Sequence, residues 1–206
     1  MPRTVTTIVY QYDELSDKAK AKARDKWREL EAQSGDNSWA ESTETSFKEA
    51  AAHMGWNITR VAWSGFSSQG DGAQFQGDWS AERVNAAALK QEWPAGEGFP
   101  NNETLRWLVE RFAALAAADT GPKGVATVRS AGRYSHSNAT EFEVTDTDEL
   151  TLITLSRQLM DLFYRMLEQE YDYQNSDEVV AEDIRTSEVE FTEDGALHTQ
   201  STEAKK

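Results

Sequence analysis

Trp56-Asn-Ile-Thr-Arg-Val-Ala-Trp-Ser-Gly-Phe66, followed by Ser67-Ser-Gln-Gly-Asp-Gly72 and Ala73-Gln-Phe-Gln-Gly-Asp-Trp79, is the stretch on which the fold turns. Two runs rich in aromatic and β-branched residues flank a short segment of Ser, Gln, Gly and Asp. Asp-Gly tolerates the positive φ of a tight turn, so the segment predicts a β-hairpin. Strands joined this tightly are antiparallel. A second pair has the same form: Val125–Arg129 and Thr140–Thr145 enclose a loop containing Gly132-Arg-Tyr-Ser-His136. Strands paired as hairpins, interleaved with helices, indicate an α+β fold rather than a doubly wound parallel sheet.

Helical patterns surround these hairpins. Ser16 offers an N-cap, Asp17 suits a first turn, and Ala19, Ala23, Trp27 and Leu30 recur at helical spacing up to a stop near Gly35. A second helix is expected over Trp39–His53 with Gly55 as its stop, and another near Ser80–Gln91. Glu92–Pro100 reads as a loop. Asn101 or Asn102 caps a helix whose apolar face is Leu105, Leu108, Val109, Phe112 and Leu115. Thr120-Gly-Pro-Lys-Gly124 breaks it. Glu149–Tyr171 is the longest helix, followed by a short one at Asp177–Ile184. Strands are expected at Thr4–Tyr12 and Glu188–Phe191. The reading is one domain over residues 1–197, a mostly antiparallel sheet packed with amphipathic helices. It ends in an acidic third (141–197) and a disordered polar tail at 198–206. Trp27, Phe47, Trp63, Phe75, Leu108, Leu159 and Phe163 are the expected core.

Composition supports such a core. The 206 residues are 38% hydrophobic and include seven Trp, six Tyr and eight Phe, more aromatic surface than a disordered chain carries. With no Cys there is neither a disulfide frame nor a thiolate zinc site. No apolar run approaches the roughly 20 residues of a membrane span, and the first residues lack a signal pattern. A soluble intracellular protein is expected.

Charge is unevenly placed along the chain. The formal net charge is −15. Residues 1–140 hold 18 acids and 16 bases, whereas residues 141–206 hold 18 acids and 5 bases. Duplex DNA, with about one negative charge per 1.7 Å, would be repelled by the acidic part. A basic protein is its natural complement. The acidic surface expected to bind it comprises Glu168, Glu170, Asp172, Asp177, Glu178, Glu182, Asp183, Glu188 and Glu190. The helix at 18–28 carries six bases, either a phosphate grip or a solvated face whose long stems shield apolar surface.

Two loops concentrate polar and small residues. Ser67, Ser68, Gln69 and Asp71 belong to the first; Arg133, Tyr134 and His136 belong to the second. If the loops adjoin, His136 as a base oriented by Asp71 is one reading, and turn-forming polar residues are the other. No phosphate-binding glycine loop, dinucleotide fingerprint or His-Glu-x-x-His helix is present. The sequence carries no specific sign of catalysis, metal or cofactor.

Four blocks, Ser64-Gly-Phe-Ser-Ser-Gln-Gly-Asp-Gly-Ala-Gln-Phe75, Gly132-Arg-Tyr-Ser-His136, Tyr171-Asp-Tyr-Gln-Asn-Ser-Asp-Glu178 and Glu190-Phe-Thr-Glu-Asp-Gly195, appear in this order. The set resembles a family of tailed-phage and prophage proteins sometimes labelled "antitoxin of toxin–antitoxin stability system". The opening Val9-Tyr-Gln-Tyr-Asp-Glu-Leu-Ser-Asp17 fits it as well. The resemblance implies a phage-encoded accessory protein acting in the host bacterial cytoplasm and supplies no catalytic residues. Gln74 stands where cysteine is expected in many relatives, which speaks against an essential thiol there. Three functions remain open: an inhibitor of a host nuclease or defence complex that mimics the charge of DNA (an anti-CRISPR, for example), an antitoxin-like neutraliser of a basic toxin, or a small hydrolase or nucleotide-binding protein using the two loops. Self-association into a homodimer is also left open.

Overall fold

A computed structural model describes residues 6–66, 68–85, 102–118, 124–131 and 134–198. Its elements are α1 (Asp17–Ser34), α2 (Ala40–His53), β1 (Trp56–Ser64), β2 (Gly72–Ser80), α3 (Asn102–Ala118), β3 (Val125–Ser130), β4 (Thr140–Thr145), α4 (Glu149–Gln174) and α5 (Asp177–Thr186). The fold class is α+β, and the four strands form one antiparallel sheet in the order β1-β2-β3-β4.

The chain divides into two compact units. A central unit comprises Trp39–Glu170; a terminal unit joins Met1–Ser38 to Tyr171–Lys206. The buried apolar residues form two clusters, one in each unit.

The central cluster fills the space between one face of the sheet and helices α2, α3 and α4. Strand periodicity explains the sheet's contribution. Val61 pairs with Phe75, Trp79 with Ala126 and Val128 with Phe142, all on the inner face. The opposite face carries Asn57, Gln76, Asp78, Thr127, Arg129, Glu141 and Glu143, with Arg129 bridged to Glu143. At the core, Phe47 of α2 stacks on Phe163 of α4 with centroids 4.2 Å apart, and Phe75 meets Phe47 at 6.0 Å. Phe47, Phe75, Leu108, Leu159 and Phe163 are buried as expected. Trp63 is only partly buried, because its indole N–H reaches outward to Glu44 Oε1 at 3.3 Å. Asp148 starts α4 by accepting from Thr151 N at 3.1 Å, so its carboxyl lies below the ordinary range.

In the terminal unit, Ser16 Oγ accepts from Ala19 N at 3.3 Å, and Gly35 ends α1 at φ 70 in the left-handed region. Ala19 and Ala23 pack with Tyr12, Leu15, Val180, Ala181, Ile184 and Phe191. Trp27 is only partly buried, since its Nε1 donates to Asp183 Oδ2 at 2.6 Å.

Three expected elements differ. Among the described residues, Thr4–Tyr12 and Glu188–Phe191 contribute only the bridges Tyr10–Phe191 and Phe191–Leu197. A 3-10 turn at Tyr12–Glu14 interrupts the first segment, and Glu188 at φ 51 cannot continue an extended strand. Of the helix expected near Ser80–Gln91, the described residues up to Asn85 form a single 3-10 turn, Ala81–Arg83. Ser80 there is still paired to Val125, and Asn85 N is held by His53 O. Residues 86–101, which include the Glu92–Pro100 loop, and the tail beyond 198 lie outside the described residues. No helix among the described residues is long and apolar enough to cross a membrane.

Candidate functional site

The two polar loops lie at one end of the sheet, after β1 and after β3, and the structure brings their described residues together. A Cβ built on Gly72 would stand 3.1 Å from His136 Cα, 3.1 Å from His136 Cδ2 and 3.2 Å from Ser135 O. Gly72 is therefore a point of close approach, a position where the second loop's backbone lies directly on β2. Next to it, Gln74 is 4% exposed and its Nε2 donates to Ser130 Oγ at 3.1 Å and Tyr134 O at 3.2 Å. Ser137 Oγ donates to Asp161 Oδ1 at 2.8 Å, which ties the same loop to α4. Tyr134 projects outward, 64% exposed. Ser67 and Arg133 lie outside the described residues.

Each loop's ionisable residue has local work. Asp71 Oδ2 accepts from Ser68 N at 2.6 Å and closes the turn through Gln69, itself exposed. His136 Nδ1 accepts from Asn138 N at 3.0 Å. That bond occupies the lone pair of one ring nitrogen and leaves the proton of a neutral imidazole on Nε2. A general base needs a free lone pair aimed at substrate. Tyr164 of α4 completes this region: its hydroxyl donates to Gly65 O at 3.0 Å. Burial pushes this phenol above its ordinary range, and the nearby carboxylates of Asp71 and then Glu168 push it further. Sequence reasoning missed Gln74, Ser137, Asp161 and Tyr164. Only Tyr164, a hydroxyl next to Phe163 on an apolar helix face, left a visible signal.

The second candidate, the acidic segment, is organised by α1. Asp177 accepts from Arg28 Nη2 at 2.6 Å and Arg24 Nη2 at 2.8 Å, and these bonds hold its carboxyl below the ordinary range. Arg28 also donates to Asn175 O at 3.0 Å. Asp183 takes the Trp27 indole, and Glu182 pairs with Arg185, which also donates to Asp13 at 3.0 Å. Lys22 bonds Asp194 at 2.6 Å; with Thr192 it draws that carboxyl down to about 2. The basic helix thus faces the acidic end of its own chain. Asp172, Glu178 and Glu188 are exposed; Glu168, Glu170 and Glu190 are half-buried. Grouped by unit, the terminal residues hold 17 acids and 10 bases, the central ones 19 and 11.

Among the described residues, no group of three or more His, Asp or Glu is gathered closely enough to hold a metal ion. A family model, described as a domain of unknown function (DUF8835), matches residues 39–177. The chain belongs to the DUF8835 family. The matched DUF8835 region begins at Trp39, as the central unit does, and so contains both polar loops and the sheet. Most of α5 and all of α1 lie outside it. No curated protein and no solved structure matches the chain.

Proposed function

We propose that this DUF8835 protein is a phage-encoded acidic binding protein. Its terminal unit occupies the basic, nucleic-acid-handling surface of a host nuclease or defence complex. The observation that carries this reading is the exposure of carboxylates on the terminal unit, held in place by intramolecular bonds. The side chains of Glu182, Asp194 and Asp177 remain 73%, 67% and 57% exposed although each has a cationic partner. Fixed carboxylates lose little freedom on binding, and lysines or arginines lining a nucleic-acid channel bind them by charge-assisted hydrogen bonds.

The contact residues follow from the pairing. Asp177, Glu182 and Asp183 already serve α1 and Arg185, so reversing them would disturb the unit itself. Glu178, Glu188 and Glu193 are exposed, belong to none of these pairs, and complete the contact that Asp177, Glu182 and Asp194 begin. The test is capture from host lysate by the full chain and by the triple variant Glu178→Lys, Glu188→Lys, Glu193→Lys. The expected partner is a basic nucleic-acid-handling protein, displaced by duplex DNA and lost at 1 M salt, where the screening length is about 3 Å. The triple variant should lose it while keeping the parent's circular dichroism. A partner that the variant retains, or that DNA and salt leave in place, refutes the reading; a small cognate toxin as the captured protein replaces it with the antitoxin function.

A further inference from the structure

Between α1 and α5, above the ring of Tyr12, the terminal unit forms a groove of about 500 Å³ lined by Tyr12, Lys20, Arg24, Asp177, Glu178, Ala181, Glu182 and Arg185. That volume lies within the range of small-molecule sites, about 300–1,000 Å³. One wall is basic, with Lys20 and Arg24 one helical turn apart on α1. The other, on α5, carries Asp177, Glu178 and Glu182, with Arg185 a turn beyond Ala181. Tyr12, 3% exposed, is the floor.

Most of these charges are satisfied within the unit. Arg24 bonds Tyr12 Oη and Asp177, each at 2.8 Å, while Arg185 bonds Glu182 and Asp13. Two are not. Lys20 Nζ stands 5.9 Å from the centre of the Tyr12 ring, and no described carboxylate lies within ion-pair distance of it. Glu178, on the facing wall, has no described cation within that distance either. A groove with opposite charges free on opposite walls repels a ligand of either single sign at one wall and attracts a dipolar one at both.

We propose that this groove binds a small zwitterion, an amino acid or short peptide with free termini. Its carboxylate is held by Lys20, its ammonium by Glu178, and its body lies over Ala181 and the Tyr12 ring. The groove overlaps the acidic contact surface at Glu178 and requires nothing else of it.

The test is an NMR shift titration of the full chain at low salt. Its probes are glycine, triglycine, N-acetyl-triglycine and triglycine amide, run against Lys20→Gln, Lys20→Arg and Glu178→Gln. Glycine and triglycine separate an amino-acid ligand from a peptide. Saturable shifts at Lys20, Arg24 and Glu178 are expected with the zwitterions. Each blocked form should bind about two- to fivefold more weakly, the range of an exposed ion pair. Glu178→Gln should abolish the preference for a free ammonium alone, Lys20→Gln that for a free carboxylate alone, and Lys20→Arg should retain both. Absence of saturable shifts up to about 10 mM ligand, a binding free energy near −2.7 kcal/mol, overturns the proposal, and so does binding indifferent to both termini. Neither result bears on capture of a nucleic-acid-handling partner.

Discussion

Replacing Gly72 by alanine tests whether the two polar loops form one structure. The backbone at Gly72 is not in the left-handed region, so alanine introduces no strain of its own there. The new Cβ would meet His136 Cα and Cδ2 at 3.1 Å and Ser135 O at 3.2 Å, a few tenths of an ångström inside comfortable contact. Two of these atoms are backbone, and their segment is fastened on both sides. Gln74 holds Tyr134 O, Ser137 holds Asp161, and Thr140 Oγ1 donates to Ser137 O at 2.6 Å. The segment cannot swing away without loosening these bonds. Overpacking of this kind costs about 1–3 kcal/mol. At about 2–4 °C per kcal/mol for a chain of this size, Tm should fall by about 2–12 °C. Thermal unfolding measures the loss, and amide shifts at Ser135 and His136 locate it. Stability within about 0.5 kcal/mol of the parent, the scatter of neutral surface changes, together with unmoved amide signals at those two residues, would refute the reasoning.

Two further outcomes follow from the packing and the ion pairs. Phe163→Ala, at a side chain with no exposure that stacks on Phe47, should cost about 3–5 kcal/mol in urea unfolding; a loss below 1 kcal/mol would mean that the stack is absent. The carboxyl of Asp194 should titrate near about 2, drawn down first by Lys22 and then by Thr192, and Lys22→Gln should move that midpoint up toward 3.8. Because the folded value is the lower one, its contribution to stability is present above 3.8 and is lost as pH falls from there toward about 2. A midpoint unmoved by Lys22→Gln would show that the pair does not form in solution.

Elements whose structure is decided locally were legible in the sequence. Strand alternation and turn chemistry marked β1 with β2 and β3 with β4, and the apolar stripe of Leu152, Leu155, Leu159, Phe163 and Met166 marked α4. Ser16 marked the start of α1. Illegible were features that depend on distant partners. Trp27 and Trp63 resemble core residues until Asp183 and Glu44 draw their indole N–H groups outward. Gln74 is an ordinary strand glutamine until Ser130 and Tyr134 take its amide, 56 and 60 residues away. In the loops, Asp71 and His136 advertise the same chemistry whether they close turns or meet a substrate. Their bonds to Ser68 and Asn138 show that each closes a turn, a contact that no spacing rule could reveal.

The distribution of charge shows most clearly how folding alters a sequence-level inference. Along the chain, the first 140 residues are nearly neutral and the last 66 hold almost all of the −15. Folding places basic α1 against acidic α5 through Arg24, Arg28 and Asp177, and the terminal and central units then carry net charges of −7 and −8. The terminal charge resides in little more than half as many residues, so it remains the denser, but each paired base cancels part of its field at distances beyond the pair. A partner of the proposed kind would therefore meet the exposed carboxylates near contact range and feel the net charge only weakly from afar at physiological salt, where screening acts over about 8 Å. On the proposed function, steering of the encounter would be correspondingly modest, and affinity would come from close, geometrically matched pairs, Glu178, Glu188 and Glu193 among them. For that reason reversal of these three side chains discriminates more sharply than reversal of Asp177. The latter would set three cations together at the start of α5 and unfasten it from α1, losing any partner for a reason unrelated to recognition.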